Sequence, residues 1–368
     1  AERGDYRPRL EVLGVVEPAR DIVLSPRVEG EIIAVEPAFV PGGIVEQGAE
    51  LVRIDPADFE RRLTMRRSER RQVEAELAIE EGRQRVAQDE YELLGEEIDP
   101  ANRDLVLRQP QIETIRARLE AARAAVEQAQ LDLDRTVVAA PFDAQILTRL
   151  VNVGSQVRPG DPLARLVGVD EYWIIASVPL RDLRWIRFPG DGGEGSSVLV
   201  RHGTAWDAGE HREARVSRLI GNVDDESRLA RVLVTIQDPL ARETEGPPVV
   251  LGTILQLWIE GRELRDVVRL DREYLRQEDT IWVMVDGQLR IREAEVAFRD
   301  ARYAYLRAGL DEGEHIVTTP LATVTNGLAL RRAQDRQGEE TAGTPGDAGG
   351  AAGGNDAGGG PDAAEGST

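Results

Sequence analysis

The sequence predicts a mixed α and β fold, elongated and multidomain, in which an α-helical coiled-coil hairpin interrupts a small β-domain. Two further β-rich blocks and a disordered C-terminal tail complete it. Three observations carry this prediction. A short phrase is written twice, as GGIVEQGAELVRI at 42–54 and GSQVRPGDPLARL at 154–166. Helix-forming sequence without β pattern lies between the copies. The β pattern then resumes at Thr136 and continues to Leu330.

At 368 residues the chain is too long for one ordinary core. Acidic residues outnumber basic ones 67 to 46, for a formal charge of −21. Phosphate contacts need positive surface, so an acidic chain is a poor candidate for nonspecific nucleic-acid binding. Every basic residue is Arg; there is no Lys. There is no Cys either, which removes disulfides, thiolate metal sites and Cys nucleophiles. The longest apolar run, Val249–Ile259, is too short to span a bilayer. No secretory signal is readable at Ala1, which leaves a cytosolic chain and a mature or trimmed form both open.

Residues 10–54 are short β-like runs punctuated by Gly and Pro. Asp55-Pro56-Ala57-Asp58 then opens a helix. Asp55 supplies a cap, Pro56 suits the first turn, and Asp58 complements the positive helix end. Only Gly82 and Gly95 interrupt helix formers as far as Glu97. Gly95–Asp104 reads as a turn, because Pro100 disfavours a helical Asp99. A second helix runs to about Arg135, with Pro110 either kinking it or opening its regular part.

In that second helix Ile112, Ile115, Leu119, Ala122, Val126, Ala129 and Leu133 alternate spacings of three and four, a coiled-coil seam. The first helix offers Phe59, Leu63, Val73, Leu77, Ala87, Tyr91 and Leu94. Arg66, Arg70, Glu80 and Gln84 interrupt its stripe. Two such helices joined by a turn run antiparallel, the longer reaching roughly 60 Å. Farther on, Asp286-Gly287 and Asn326-Gly327 are tight-turn signals. From about Glu339 the chain is Gly, Ala and acids, and reads as disordered.

Each copy of the repeated phrase belongs to a segment too small to bury a core alone. Packed on each other, they form two halves of one pseudo-symmetric domain. The helices are then an insertion at one edge.

A paired half-motif split by a long hairpin resembles a split lipoyl or biotinyl domain. The ordered set resembles the periplasmic adaptors (membrane fusion proteins) of resistance-nodulation-division efflux pumps. It runs from Leu133-Asp134-Arg135-Thr136 into Ala140-Pro141-Phe142-Asp143, then the second phrase. Val223 to Arg228, Leu251-Gly252 and Gly309 to Glu314 follow.

The resemblance implies a domain layout: an N-terminal segment at 1–16, which can join the membrane-proximal domain; lipoyl-like halves at 17–55 and 136–167; a helical hairpin at 56–135; a β-barrel domain at 168–261; a membrane-proximal β-domain at 262–332; and a tail at 333–368. It implies a non-catalytic link in a tripartite complex. The partners are an inner-membrane efflux transporter, an outer-membrane channel and further copies in a ring. The place is the periplasm, at the inner membrane of a Gram-negative envelope. The hairpin tip then carries partner-binding residues: Glu97, Ile98, Asp99, Pro100, Asn102, Arg103 and Leu105. The family's tip pattern of Arg, Leu and Ser at i, i+4 and i+11 is not met. Aligned on Leu93, its outer positions are Asp89 and Pro100; a second register gives Arg103, Leu107 and Thr114. An adaptor for an ABC-type exporter or type I secretion system has a similar shape. A cytosolic coiled-coil scaffold is the alternative from another class.

No cofactor or catalysis is expected. A lipoyl carrier needs a Lys, and none exists. Gly190 to Gly195 matches G-x-G-x-x-G but leads into strand-like Ser197-Val198-Leu199-Val200, not a helix. His202, His211 and His315 are scattered, Met65 and Met284 are the only thioethers, and Asp224-Asp225-Glu226 reads as an acidic turn.

Overall fold

The computed structural model describes residues 2–94, 100–190, 193–224, 228–319 and 324–331. The chain opens with strands β1 (Glu2–Tyr6) and β2 (Arg9–Pro18). The first copy of the repeat folds as β3 (Asp21–Leu24), β4 (Gly30–Val35), β5 (Ile44–Val45) and β6 (Glu50–Ile54). Helices α1 (Ala57–Leu94), α2 (Pro100–Val106) and α3 (Gln109–Asp134) follow. The second copy is β7 (Val137–Ala139), β8 (Ala144–Arg149), β9 (Gln156–Val157) and β10 (Ala164–Gly168).

The two copies exchange strands. One sheet runs β3-β10-β8-β5 and the other β7-β6-β4-β9, so each sheet takes two strands from each copy. The registers repeat as well. Ile54 faces Ile32 across β6 and β4, and Leu166 faces Ile146 across β10 and β8. All four are fully buried, in one core with Leu51 and Leu163. The Ile32 N–H donates to Ser155 and the Ile146 N–H to Gly43, the matching residue of the other copy. Gly42 and Gly154 hold φ of 84° and 87°, and Gly48 and Gly160 hold 82° and 93°. That backbone favours glycine, which is why the phrase spells Gly at those two places in both copies.

Next come β11 (Glu171–Val178), β12 (Ser197–Arg201), β13 (Arg212–Val223), β14 (Ala230–Gln237) and β15 (Ile254–Glu260). With β2 they close a barrel in the order β11-β14-β13-β12-β15-β2. In β2 the strict alternation of LEVLGVV sends Leu10, Val12 and Val16 inward. Gly14 is on the same side. A Cβ there would lie 2.7 Å from Ile174 and 2.8 Å from Leu257, so the barrel interior leaves room only for glycine.

The last strands are β16 (Leu264–Asp271), β17 (Thr280–Val285), β18 (Gln288–Glu293), β19 (Glu295–Arg299), β20 (Tyr303–Ala308) and β21 (His315–Ile316). They form sheets β1-β16-β20-β19 and β18-β17-β21 over a core of Val268, Leu270, Ile281, Val283 and Leu306. Asp286 and Gly287, both at positive φ, make the tight turn expected between β17 and β18. The chain divides into two compact units, Arg7–Glu263 and Ala1–Tyr6 with Leu264–Thr368. The first sixteen residues therefore serve both: β1 pairs with β16, and β2 closes the barrel. The segment expected to be disordered lies outside the described residues.

Candidate functional site: a jointed hairpin on a split β-domain

The hairpin is rooted in the β-domain core. The Asp55 carboxylate accepts from the Ala57 N–H at 3.0 Å, capping α1 as expected. Phe59 of α1 is buried in the cluster of Ile32, Ile54 and Ile146, and Leu133 of α3 packs against it. The Ile54 N–H donates to the Thr136 carbonyl at 2.8 Å, so the chain leaves and re-enters the domain at neighbouring points.

Contacts between the arms show that they run antiparallel. Arg67 donates to Gln130 at 3.0 Å, and Arg116 pairs with Glu81 at 3.4 Å. The seam of α3 buries Ile112, Leu119 and Ala129, and half-buries Ile115, Ala122, Val126 and Leu133. On α1, Phe59 and Leu63 are buried and Val73 and Leu77 half-buried. At 1.5 Å per residue, the 38 residues of α1 span about 57 Å.

The structure changes the expected tip. Pro100–Val106, assigned in part to a turn from sequence, is the separate helix α2. The second arm breaks at Leu107-Arg108, where Arg108 takes left-handed φ of 58°, and α3 starts at Gln109 with Pro110 in its first turn. Pro110 thus opens the regular helix and does not kink it. Two polar residues that interrupt the α1 stripe hold this break. Glu80, 5% exposed, accepts from Arg108 Nε at 2.5 Å and pairs with Arg83 at 3.3 Å. Gln84 donates to the Leu107 carbonyl at 2.9 Å, satisfying an acceptor freed by the break. The Arg108 guanidinium holds the Glu80 carboxyl below its ordinary range against the opposing effect of burial.

Of the tip residues named from sequence, Glu97, Ile98 and Asp99 lie outside the described residues. Pro100 opens α2 and Asn102 lies within it; Arg103 and Leu105 are exposed there. Leu93 at the end of α1 is 87% exposed, and Leu105 and Val106 add further exposed apolar surface. Arg103, Leu107 and Thr114 fall on both sides of the break, so that register does not form one helix face.

One more structured loop escaped sequence reading. Arg212 of β13, 4% exposed, donates to the carbonyls of Gln237, Asp238 and Pro247 and to the Thr244 hydroxyl. Burial pushes its pKa down. Asp238 is partly desolvated, but N–H groups of Glu243, Arg242 and Thr244 outweigh this and lower its pKa to about 2. A cleft of about 570 Å³ lies beside it, lined by Glu210, His211, Glu213 and Glu245 among others.

No group of three His, Cys, Asp or Glu among the described residues could hold a metal ion. The residues after Gly195 form β12, so no helix N-terminus faces that glycine run; Asp191 and Gly192 lie outside the described residues. Asp225 and Glu226 of the acidic turn also lie outside them. No helix among the described residues is long and apolar enough to cross a membrane.

Similarity to known proteins covers most of the chain. The multidrug resistance protein MdtA of Cronobacter turicensis is 23% identical over 333 residues, covering 89% of this chain and 77% of that one. The crystal structure of MacA from Actinobacillus actinomycetemcomitans superposes with a TM-score of 0.58 at 16% identity, covering 87% of this chain and 99% of MacA. The two share a fold. A MacA–MexA chimera carrying the Pseudomonas aeruginosa MexA α-hairpin gives a TM-score of 0.57 at 17% identity, with 87% and 99% covered. No family model matches. In this chain the split β-domain with its hairpin is followed by the barrel, which β2 closes.

Proposed function

We propose that this chain links an inner-membrane efflux transporter of the resistance-nodulation-division type to an outer-membrane channel, as a non-catalytic periplasmic adaptor. The observation that carries the reading is the hairpin held between the two halves of one β-domain. Its ends are joined by the Ile54–Thr136 hydrogen bond and rooted by Phe59. A helical arm fixed at its root transmits displacement of the β-domain to its tip. The exposed Leu93, Leu105 and Val106 support the tip as the partner-binding end, together with Pro100, Asn102 and Arg103 and the sequence-assigned Glu97, Ile98 and Asp99. Similarity to a multidrug resistance protein over most of both chains supports efflux as the process. The lipoyl-like domain contributes mechanical work alone, since a chain without Lys cannot carry lipoate or biotin. Lateral packing of these domains in a ring of copies belongs to the same reading.

Cysteines in place of Asn102 or Arg103 test it in cells of the native host. Crosslinks to an outer-membrane protein, with an inner-membrane transporter copurifying, are expected. Crosslinks to cytosolic proteins alone would show the reading to be wrong, and a copurifying ABC-type exporter would reassign the transporter class.

A further inference from the structure

Ahead of β12 the chain makes a loop whose base is clasped. The Arg187 N–H donates to the Ser196 hydroxyl at 3.1 Å, and the Ser196 N–H donates back to the Arg187 carbonyl at 3.0 Å. Ser196 is fully buried, and its carbonyl accepts from the Val216 N–H at 3.0 Å. A Cβ on Gly195 would collide with the Val216 carbonyl oxygen, so the loop rejoins the barrel wall at contact distance. Backbone held in this way fixes the point from which the Arg187 side chain leaves. A cleft of about 720 Å³ opens beside the clasp, with Arg7, Arg187, Arg215 and Arg262 in its lining. These arginines gather in a chain whose formal charge is −21.

Arg187 differs from its neighbours in the cleft. Arg7 pairs with Glu260 at 3.0 Å, Arg215 pairs with Glu194, and Arg262 donates to the Ile186 carbonyl at 3.4 Å. Arg187 is half-buried, its Nε is buried with no hydrogen-bond partner in the protein, and it makes no ion pair with a described residue. Elsewhere a buried, unbonded arginine Nε goes with a charge that is answered: Arg70 by Glu74, Arg135 by Asp132 and Arg276 by the Trp282 ring. Arg201 shares the feature with Arg187 but does not line the cleft. A buried donor without an acceptor is costly, and native proteins rarely keep one. Water would satisfy the N–H and leave the charge. An oxyanion answers both, because a guanidinium presents its N–H groups as a fork to two oxygens.

We propose that Arg187 binds a small tetrahedral oxyanion, phosphate or sulfate, in this cleft, with the charges of Arg7 and Arg215 beside it. The lining sets the size of the ligand. Glu194, Glu260 and Glu263 stand in the same cleft and repel an extended anionic surface, which needs a cluster of unopposed basic residues. A single compact anion meets the guanidinium that has no carboxylate. Arg215 faces Ser197 in register, one residue beyond the clasp, so the anion sits where the loop joins the barrel wall. An oxyanion that binds only the folded chain stabilises that junction by mass action.

The test is phosphate binding by the full-length chain, titrated by calorimetry in chloride buffer at constant ionic strength. Saturable binding of one phosphate per chain is expected, and Arg187→Gln is expected to weaken it about tenfold, the loss for a charge-assisted hydrogen bond. Arg181→Gln, which removes an exposed charge outside the cleft, is expected to bind as wild type does. Matching thermal melts of the variants in phosphate-free buffer exclude misfolding. On the unmutated chain, phosphate is expected to slow amide exchange at Arg187 and Ser196 and to leave α1 unchanged. Absence of saturable binding by wild type overturns the site, as does equal binding by Arg187→Gln or protection spread evenly over the chain. Vesicles of anionic phospholipid that bind wild type and not Arg187→Gln, without competition from phosphate, would overturn the small anion in favour of a lipid headgroup. None of these outcomes touches the adaptor reading, which rests on the hairpin.

Discussion

Arg108 turns its backbone left-handed and donates from Nε to the buried carboxylate of Glu80 at 2.5 Å. The pair joins the two arms at the point where the second one breaks. Glu80→Gln is expected to raise amide exchange across 107–112 while helix content by circular dichroism stays nearly constant. The Glu80 pKa is lowered from 4.5, so its contribution is present above that value and fades as pH falls through the folded-state value. The exchange difference between wild type and Glu80→Gln therefore shrinks in acid. Arg108→Gly and Arg108→Ala both remove the pair, but only glycine relieves the left-handed backbone, so Arg108→Gly is expected to melt later, by about 1 kcal/mol. Equal melts would show that the backbone conformation is not imposed on Arg108.

Gly82 lies inside α1, and a Cβ at that position meets nothing within 4 Å. Gly82→Ala is expected to stabilise the helix by about 0.5–1 kcal/mol, since glycine loses more conformational freedom on folding and alanine does not. Denaturant unfolding followed by helix ellipticity measures it. A destabilised variant would mean that this turn of α1 is not regular helix.

The two halves of the β-domain were legible because they are written twice. Ile32 and Ile146, Ile54 and Leu166 fall in matching registers, and one copy predicts the other. The joint was not. A left-handed Arg108 has no residue signature, and the carboxylate it meets, Glu80, lies far away in sequence. The start of α2 did leave a signal: Asp99-Pro100-Ala101 repeats the Asp55-Pro56-Ala57 that opens α1. Reading Pro100 only as a breaker hid it. Closure of the barrel by β2 was also out of reach, because strand order is set by pairing between residues such as Val15 and Ile254, which no local pattern encodes.

Asp238 supplies a stability that depends on pH. Burial opposes its charge, but N–H groups of Glu243, Arg242 and Thr244 and the Thr244 hydroxyl converge on it and lower its pKa from 3.8 to about 2. A carboxylate with a depressed folded-state pKa contributes above the unfolded value and loses that contribution as pH falls from about 4 to about 2. Asp238→Asn keeps a residue that tolerates the positive φ of 44° and removes the charge. It is expected to cost about 1 kcal/mol at neutral pH and much less near pH 2, where about half of the wild-type carboxyl is protonated. Melts at both pH values check this; a cost independent of pH would place the effect in loop geometry and not in charge.

Excision of the hairpin tests whether the two copies complete each other. The Ile54 N–H donates to the Thr136 carbonyl at 2.8 Å and the Asp55 N–H to Glu31 at 2.8 Å, so direct fusion of Asp55 to Thr136 closes a short gap. Ile32, Ile54, Ile146 and Leu166 stay in the excised chain with their cross-strand partners. Phe59 and Leu133 leave with the hairpin and uncover one side of the core. Loss of a buried aromatic costs about 3–5 kcal/mol, so the product is expected to be less stable yet cooperatively folded. Circular dichroism should show β structure with the helical signal gone, and a single melting transition below that of the whole chain. A product with no transition would mean that the copies need the hairpin to find each other, and that the insertion has become part of the fold it entered.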